Sequence, residues 1–493
     1  RRYNVTSNLT LNPFRTTEIK LGIQGYLANA NYPASSQASI FESAYFTPPT
    51  YIAPLYPDGK LGAFSGGDIN PVAQLGATGY ANQWRSQVYS NLRITQQIYK
   101  GLSVSGMFSF DTYNYTSNRF TKTPNTYHAT GRDANGNLLY EQTRQGTENL
   151  AYSLSAKGNR AIYLEAAVNY RNTFGRHTVS GMMLFNQSDE INTKATNVEE
   201  ALPYRFRGLA GRFTYSFDDR YFGEFNFGYN GSENFAPKNR YGFFPSVGLG
   251  WVISNEPFFR GATEVIQYLK LRGTWGRVGN SQISGRRFAY LATVKDTNDT
   301  SYQFGKNMDQ TYGTTAIDEY AVDVTWEIAD KTNIGLDMRL LNNKFNLQFD
   351  AFKESRKGIY LRRTSIPSYF GMINNPYGNI GKVENKGIEM SVSYANSWRD
   401  WSLSVMGNYS FNRNKVLEDD STVAYPWQKT IGNKVDQRFG LIALGLFESP
   451  EEIAAAPVQV GDTRPGDIRY KDINGDGKID EYDKVPIGWG SVP

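Results

Sequence analysis

Apolar and polar residues alternate over pairs of long segments, and a tight turn closes each pair. Ile162 to Tyr170 alternates in this way, turns over Asn172–Arg176, and returns through Val179, Gly181, Met183 and Phe185. Phe213, Tyr215 and Phe217 lead through Asp218-Asp219 into Phe225, Phe227 and Tyr229. The unit recurs from Leu340 to Phe349 around Asn342-Asn343, and from Ile388 to Phe411 around Ser397–Asp400. Period-two alternation predicts strands with two chemically different faces. Long polar stretches separate one pair from the next. Short turns on one side and long loops on the other suit a transmembrane β-barrel, because its two rims face different compartments. A soluble sandwich has no reason to sort its loops by length.

The pattern predicts hairpins at Arg2–Asn12 with Ile19–Ala28, and at Trp84–Gln96 with Leu102–Tyr113. Loops are expected near 29–83, 116–149, 189–203, 231–242, 280–319 and 357–384, with a small hairpin at Asp133–Asn137 inside the second, since Asn-Gly accepts positive φ. About sixteen barrel strands are expected on this pattern. In Phe345–Ala351 the apolar set would face lipid, with Asn346, Gln348 and Asp350 facing the lumen. Leu403, Val405, Tyr409 and Phe411 would likewise face lipid, and Ser404, Asn408, Ser410 and Asn412 the lumen. One short helix is expected after Ser449, with Pro450 at its first position and Glu451 and Glu452 in its first turn.

Composition narrows the class. No apolar run approaches the roughly 18 residues of a helical span, and the mean hydropathy is −0.52. A barrel escapes that test, because only alternate residues meet lipid. Aromatics make up 14 % of the 493 residues, as girdles at two membrane interfaces would require, although strands also favour them. The absence of cysteine excludes disulfide frameworks, thiolate metal sites and Cys nucleophiles. A net charge of +5 without a basic run gives no footprint for nucleic acid. The chain opens on Arg1 without a signal peptide and stops at Pro493 after a turn-rich segment, so both ends read as cut from something larger.

The sharpest chemical motif is Asp472–Asp483. Asp472, Asn474, Asp476, Asp480 and Asp483 fall at the oxygen-ligand positions of an EF-hand-type calcium loop, with Gly477 at the bend and the Lys478 carbonyl between. Asp at the last position reaches less far than the usual Glu, and the flanks are not helical. The alternative is an Asp/Asn/Gly-rich turn held by side-chain-to-backbone hydrogen bonds without an ion. The two histidines, His128 and His177, have no nucleophile signature beside them, and no phosphate loop, zinc motif or nucleophile elbow is present, so no catalytic residue is named. Tyr425 with Trp427, and Tyr369 with Phe370, lie in expected external loops, either as stacking platforms or as loop packing.

Three stretches carry a resemblance: Asn234–Trp251 continuing to Glu256-Pro257-Phe258, Asn379–Glu389, and Pro465-Gly466-Asp467-Ile468 through the Asp472–Asp483 loop to Ile487-Gly488. Tyr268–Arg272 and Gly279-Asn280 add to it. Together they resemble the SusC/RagA-like branch of TonB-dependent outer-membrane transporters. The resemblance implies an all-β fold, a large antiparallel barrel of about 22 strands with an N-terminal plug. It implies import of oligosaccharides or peptides across the bacterial outer membrane, powered through TonB, with a SusD-like surface lipoprotein as partner. Here the whole of 1–493 reads as barrel, with the calcium-type loop at 465–488 inside a long external loop. Plug, TonB-contacting segment and final strands are expected to lie outside it. Three other readings stay open: a passive porin-like channel, an outer-membrane hydrolase barrel with His177 as its base, and a secreted carbohydrate-binding module.

Overall fold

Fourteen strands hydrogen-bond in chain order into one antiparallel sheet. They are β1 (Arg2–Phe14), β2 (Thr17–Pro33), β3 (Gly79–Tyr99), β4 (Leu102–Thr121), β5 (Ala151–Phe174), β6 (His177–Asn192) and β7 (Tyr204–Phe217). The order continues through β8 (Tyr221–Ser232), β9 (Tyr241–Val252), β10 (Ile266–Asn280), β11 (Glu327–Leu340), β12 (Phe345–Arg362), β13 (Tyr377–Trp398) and β14 (Trp401–Glu418). The computed structural model describes the backbone of residues 1–48, 50–68, 70–283 and 286–488, and their side chains except 295–302 and 310–316. The chain end at Val492-Pro493 lies outside the described residues.

The main sheet holds fourteen strands rather than about sixteen, and among the described residues four two-stranded pairs stay out of it. Thr126–Arg132 pairs with Leu138–Arg144 around the expected Asp133–Asn137 turn, and Thr293–Phe304 pairs with Gln310–Glu319 inside a stretch read as plain loop. Strands of 12 to 24 residues overrun the 9–11 or so that a membrane needs, so their ends continue into the loops.

Tight connections close one edge of the sheet. Gly101 and Gly175 take φ of 81° and 60°, Asp218 and Asp219 take 52° and 51°, and Leu341, Asn342 and Asn343 all have positive φ. Asp and Asn tolerate the left-handed region better than other residues with a Cβ, which is why they stand in these turns. The exception on this edge is residues 253–265, which form two 3-10 turns at Ile253–Asn255 and Pro257–Ala262. There Glu256, almost fully buried, accepts from the Trp251 indole at 3.0 Å and pairs with Arg220 at 3.5 Å.

Contacts divide the chain into two units. The first comprises 1–98, 103–166 and 186–205. In it, the long loop after β2 contains a helix absent from the expectations, α1 (Gln37–Phe46), started by Ser36 accepting from the Ser39 N–H at 3.1 Å. Buried Asn70 ties that loop together, donating to the carbonyls of Pro54 (2.7 Å) and Gly62 (2.8 Å) and accepting from the N–H groups of Val72 and Ala73. At the long-loop ends of β3, β4 and β5 the rings of Tyr80, Phe120 and Tyr152 follow one another at 5.0 and 5.3 Å.

The second unit comprises 99–102, 167–185 and 206–493. Its register places four successive cross-strand rows on one face of β11–β14: Leu340–Phe345–Tyr394–Val405, Met338–Leu347–Val392–Gly407, Leu336–Phe349–Met390–Tyr409 and Ile334–Ala351–Ile388–Phe411. No position in this block is charged or amide-bearing. On the opposite face, between these rows, lie Arg339–Asn346–Ser393, Asp337–Gln348–Ser391–Asn408 and Asp350–Glu389–Ser410. Toward the short-turn edge the apolar face ends on Trp398 opposite Trp401. From Ile388 to Tyr394 the amide-free rows cover about 20 Å along the strand, and the face continues through Asn396 opposite Leu403 before it reaches the tryptophans.

Above that band a buried cluster of Phe235, Phe244, Ile283, Val324, Trp326 and Tyr360 fastens the loops to the strand ends. Pro245 explains where this begins. Proline cannot donate to a ladder, and β9 pairs with β10 only from Ser246 onward; Phe244 pairs with Gly228 of β8 on its other side, and its ring packs against Trp326 at 5.0 Å.

The two faces predict opposite responses to one substitution. Phe349→Lys, in the middle of the apolar block, should cost about 2–4 kcal/mol in a bilayer, and Gln348→Lys less than about 1 kcal/mol. Urea unfolding in lipid vesicles measures both, and equal costs would sink the assignment of faces.

Candidate functional site

The polar face of the second unit carries charges at a density that only pairing sustains. Arg272 of β10 reaches across two strands, donating from Nη2 to Asp350 at 2.7 Å and from Nε to Asp337 at 3.2 Å. The intervening residue is Gly335, and a Cβ there would stand 2.4 Å from the guanidinium carbon, so glycine opens the path for the side chain. Nearer the long loops Glu354 takes Lys331 at 3.1 Å and Arg356 at 2.9 Å, while Arg356 also approaches Glu327 at 3.4 Å. Fixed, mutually paired ions give a wettable wall without a large net field.

The long loop after β14 covers residues 419–488 and holds the sequence-predicted site. Short pairs at Phe439–Gly440 with Val485–Pro486, and at Ala443–Leu446 with Ile468–Tyr470, brace it around the buried Phe447. The expected helix forms at Pro450–Ala455, with the Ser449 hydroxyl accepting from the Glu452 N–H at 3.3 Å.

In the Asp472–Asp483 loop the side chains turn mainly to backbone donors. Asp472 accepts from the N–H of Gly475 (2.7 Å) and Gly477 (2.9 Å), Asn474 from Asp476 (3.1 Å), and Asp476 from Lys478 (3.1 Å). Asp483 has no exposed surface and accepts from Ile473 at 2.7 Å through Oδ1 and from Asp480 at 2.9 Å through Oδ2. Lys478 Nζ pairs with Asp480 at 2.9 Å. That bond, with the Tyr482 N–H, holds the Asp480 carboxyl below its ordinary value, while Lys478 is raised in turn. Gly475 and Gly477 take φ of 76° and 84°. Among the described residues no group of three or more acidic or imidazole side chains converges as a metal would require. The predicted ligands thus share one tight loop, and their oxygens are placed as amide acceptors.

The loop sits against aromatic rings. Trp427 donates from its indole to the Tyr482 carbonyl at 2.8 Å, and Gln428 donates to the Glu481 carbonyl at 3.0 Å. Tyr425 stacks on Trp427 at 4.7 Å with planes 9° apart, and Tyr482 meets Tyr425 edge-on at 5.7 Å. Spacing between residues 427 and 482 is too long for sequence reasoning to join them. Tyr369 and Phe370 stack on each other at 5.2 Å and remain exposed.

The histidines lie elsewhere. His177 Nδ1 bonds the Tyr215 hydroxyl at 2.8 Å on the short-turn edge, with the Phe217 ring at 5.0 Å. His128 packs edge-on against Phe64 at 4.9 Å.

Residues 15–482 match the family described as TonB dependent receptor-like, beta-barrel. The chain is 26 % identical over 501 residues to TonB-dependent receptor P26 of Formosa agariphila, covering 94 % of this chain and 48 % of that one. It is 29 % identical over 280 residues to TonB-dependent receptor SusC of Bacteroides thetaiotaomicron, covering 56 % of this chain and 27 % of SusC. A solved structure of the RagAB peptide importer in its closed-closed state superposes with a TM-score of 0.70 at 17 % identity, over 99 % of this chain and 54 % of that one. The chain therefore spans about a quarter to a half of the length of the curated relatives it matches.

Removing the buried carboxylate should loosen the loop. Asp483→Ala leaves the Ile473 and Asp480 N–H groups without their acceptor, at a cost of about 1–3 kcal/mol. Amide hydrogen exchange at Ile473 and Asp480 should accelerate while β13 stays protected. Unchanged exchange would show that the carboxylate does not hold the loop.

Proposed function

Since the chain belongs to the TonB dependent receptor-like β-barrel family, we propose that it is the barrel portion of an energy-coupled outer-membrane importer of oligosaccharides or peptides. The observation that carries this reading is the two-faced sheet of the second unit. One face carries an uncharged block of four apolar rows, and the other is lined by paired ions such as Arg272 with Asp350. A wall of that kind admits a hydrated solute without binding it tightly at any one point. The process is binding and gated passage, with no bond made or broken.

Similarity to SusC and to a peptide importer supports a substrate larger than a single sugar or amino acid, and supports a SusD-like surface lipoprotein as the partner over the long loops. Energy would come through TonB. The stacked Tyr425–Trp427 pair and the exposed Tyr369–Phe370 pair offer flat apolar surfaces for sugar rings or peptide side chains. Extraction of the full-length protein from its native outer membrane in mild detergent, followed by mass spectrometry of what comes with it, tests the pairing. A stoichiometric surface lipoprotein is expected. A barrel that reproducibly emerges alone would leave a single-component transporter or a passive channel, and the partner would be withdrawn.

The Asp472–Asp483 loop is proposed as a structural Ca2+ site. The spacing supports this, with Asp472, Asn474, Asp476, Asp480 and Asp483 offering side-chain oxygens and Lys478 its carbonyl. An oxygen that accepts one N–H keeps a lone pair for an ion, so the amide network and an ion are compatible. Terbium luminescence sensitised by Trp427 and Tyr482 should appear on titration and be displaced by Ca2+. Absence of any sensitised signal, with the same thermal stability in Ca2+ and in excess chelator, would leave the loop as a hydrogen-bonded turn alone.

A further inference from the structure

Residues 253–265 are the one connection on the short-turn edge that is not tight, and they are tied to the apolar face. That face can be followed by register. The row of Leu336 and Phe349 continues through Leu271 to Trp251 and then to Tyr221. It crosses the middle of the apolar block on β12, yet it meets β9 one residue before its end and β8 at its first residue, as tilted barrel strands require. Trp251 and Tyr221 therefore stand where the apolar face meets the short-turn rim.

Both rings have a polar tip, and one carboxylate holds both tips. Glu256 accepts from the Trp251 indole at 3.0 Å and from the Tyr221 hydroxyl, and Arg220 lies 3.5 Å from its other oxygen. Asn255 donates to the Asp219 carbonyl at 2.8 Å, which pins the start of the segment to the neighbouring turn. Two residues beyond Glu256, Phe258 meets the Trp251 ring edge-on at 6.4 Å and is 71 % exposed. A ring this open, set beside a lipid-side tryptophan by a buried carboxylate, is placed for an apolar medium. The aromatic row extends along the same edge, with Phe217 stacked on Tyr221 at 6.4 Å and His177 at 5.0 Å from Phe217.

We propose that the segment around Phe258 is a membrane anchor: the Phe258 ring inserts into the leaflet on the short-turn side, and Glu256 is the positioning residue that fixes its depth. The proposal rests on the reading of the apolar face as lipid-facing. The occupant is the bilayer, because Phe258 continues a face that already carries Leu249, Trp251 and Tyr221. Both polar tips are bonded to a group beyond the strand ends, the orientation that tryptophan and tyrosine take at headgroup level. Glu256 thus converts two lipid-side rings and one loop ring into a single rigid contact, and the wall cannot slide along its normal without moving all three.

The absence of cysteine in this chain allows single labels to be placed. The full-length protein, on a background without other cysteines, carries a nitroxide at Phe258→Cys, Leu249→Cys or Asn135→Cys in phosphatidylcholine vesicles. Power-saturation EPR compares collisions with oxygen, which concentrates in hydrocarbon, and with a nickel chelate, which stays in water. The Phe258 label should lie roughly 5–10 Å into the headgroup and acyl boundary, the Leu249 label deeper, and the Asn135 label in water. Glu256→Ala should move the Phe258 label into water. Tyr221→Phe with Trp251→Phe, which removes both donors and keeps both rings, should do the same. Heat-modifiable migration on gels confirms that each variant is a folded barrel. A Leu249 label in lipid with a Phe258 label in water overturns the proposal. So does a Phe258 label shielded from both relaxants, which would make a protein the occupant. Unchanged depth in both sets of variants overturns the role of Glu256. A Leu249 label in water overturns the membrane reading and this proposal with it.

Discussion

Hydrocarbon offers a backbone no hydrogen-bond partner, and most of this structure follows from that constraint. Each N–H and C=O within the apolar band must find a neighbour strand, so the ladder through β11–β14 runs from Leu340 to Ile334 and from Phe345 to Ala351 without a shift of register. Irregularities between these four strands fall outside it. The bulge at Lys357–Ile359 and the shift at Lys382–Val383 both lie beyond the last apolar row, where water or loops can satisfy what the ladder drops. Pro245 obeys the same rule from the other direction. It stands at the end of the β9–β10 ladder, so its missing N–H leaves no gap inside the band.

Once the ladder is fixed, the side chains have only two directions available, and the two faces must solve different problems. The lipid face needs area without charge, which Leu, Ile, Phe and Met provide. The polar face needs charge without a large uncompensated field, and there geometry decides which pairs form. Arg272 reaches Asp350 two strands away because Gly335 leaves the intervening strand bare at that point. A glycine inside a strand ordinarily weakens it, and here the loss is set against a charge pair that would otherwise be obstructed. Both faces depend on register, since a slip by one residue would exchange them.

Register is also why so much of the fold was legible in the sequence. Alternation in Phe345–Ala351 and Leu403–Phe411 separates the apolar and polar sets onto opposite faces, as the register has them, and Asp218-Asp219 and Asn342-Asn343 mark their turns because few residues accept positive φ. The Ser449-Pro450-Glu451 signature marks a helix start for the same local reason. What escaped depends on distant partners. The helix at Gln37–Phe46 lacks an amphipathic period and is surrounded by Pro, Gly and Ser, so nothing local separates it from loop. The pair Thr293–Phe304 and Gln310–Glu319 reads as polar connection because neither strand alternates cleanly. Of the candidate site, the spacing from Asp472 to Asp483 is visible in sequence. The docking of Tyr482 on Trp427 joins positions 55 apart and appears only in three dimensions.

That docking shows how a loop of some seventy residues is kept in one arrangement. Its ties to the sheet are few: Val416 exchanges bonds with Gly432 and Asn433, and Asn414 accepts from the Val435 N–H at 2.7 Å. Its internal ties are many, and they nest. Asp483 anchors Ile473 and Asp480, the turn that Asp480 starts presents the Tyr482 carbonyl, and that carbonyl holds the Trp427 indole. The aromatic pair therefore depends on a carboxylate it never touches. Local stability follows internal bonding rather than attachment, so this loop can keep its own shape even where its connection to the strands is slender. The strands and the rings are therefore fixed separately: the ladder dictates the strands, and hydrogen bonds within the loop dictate the rings.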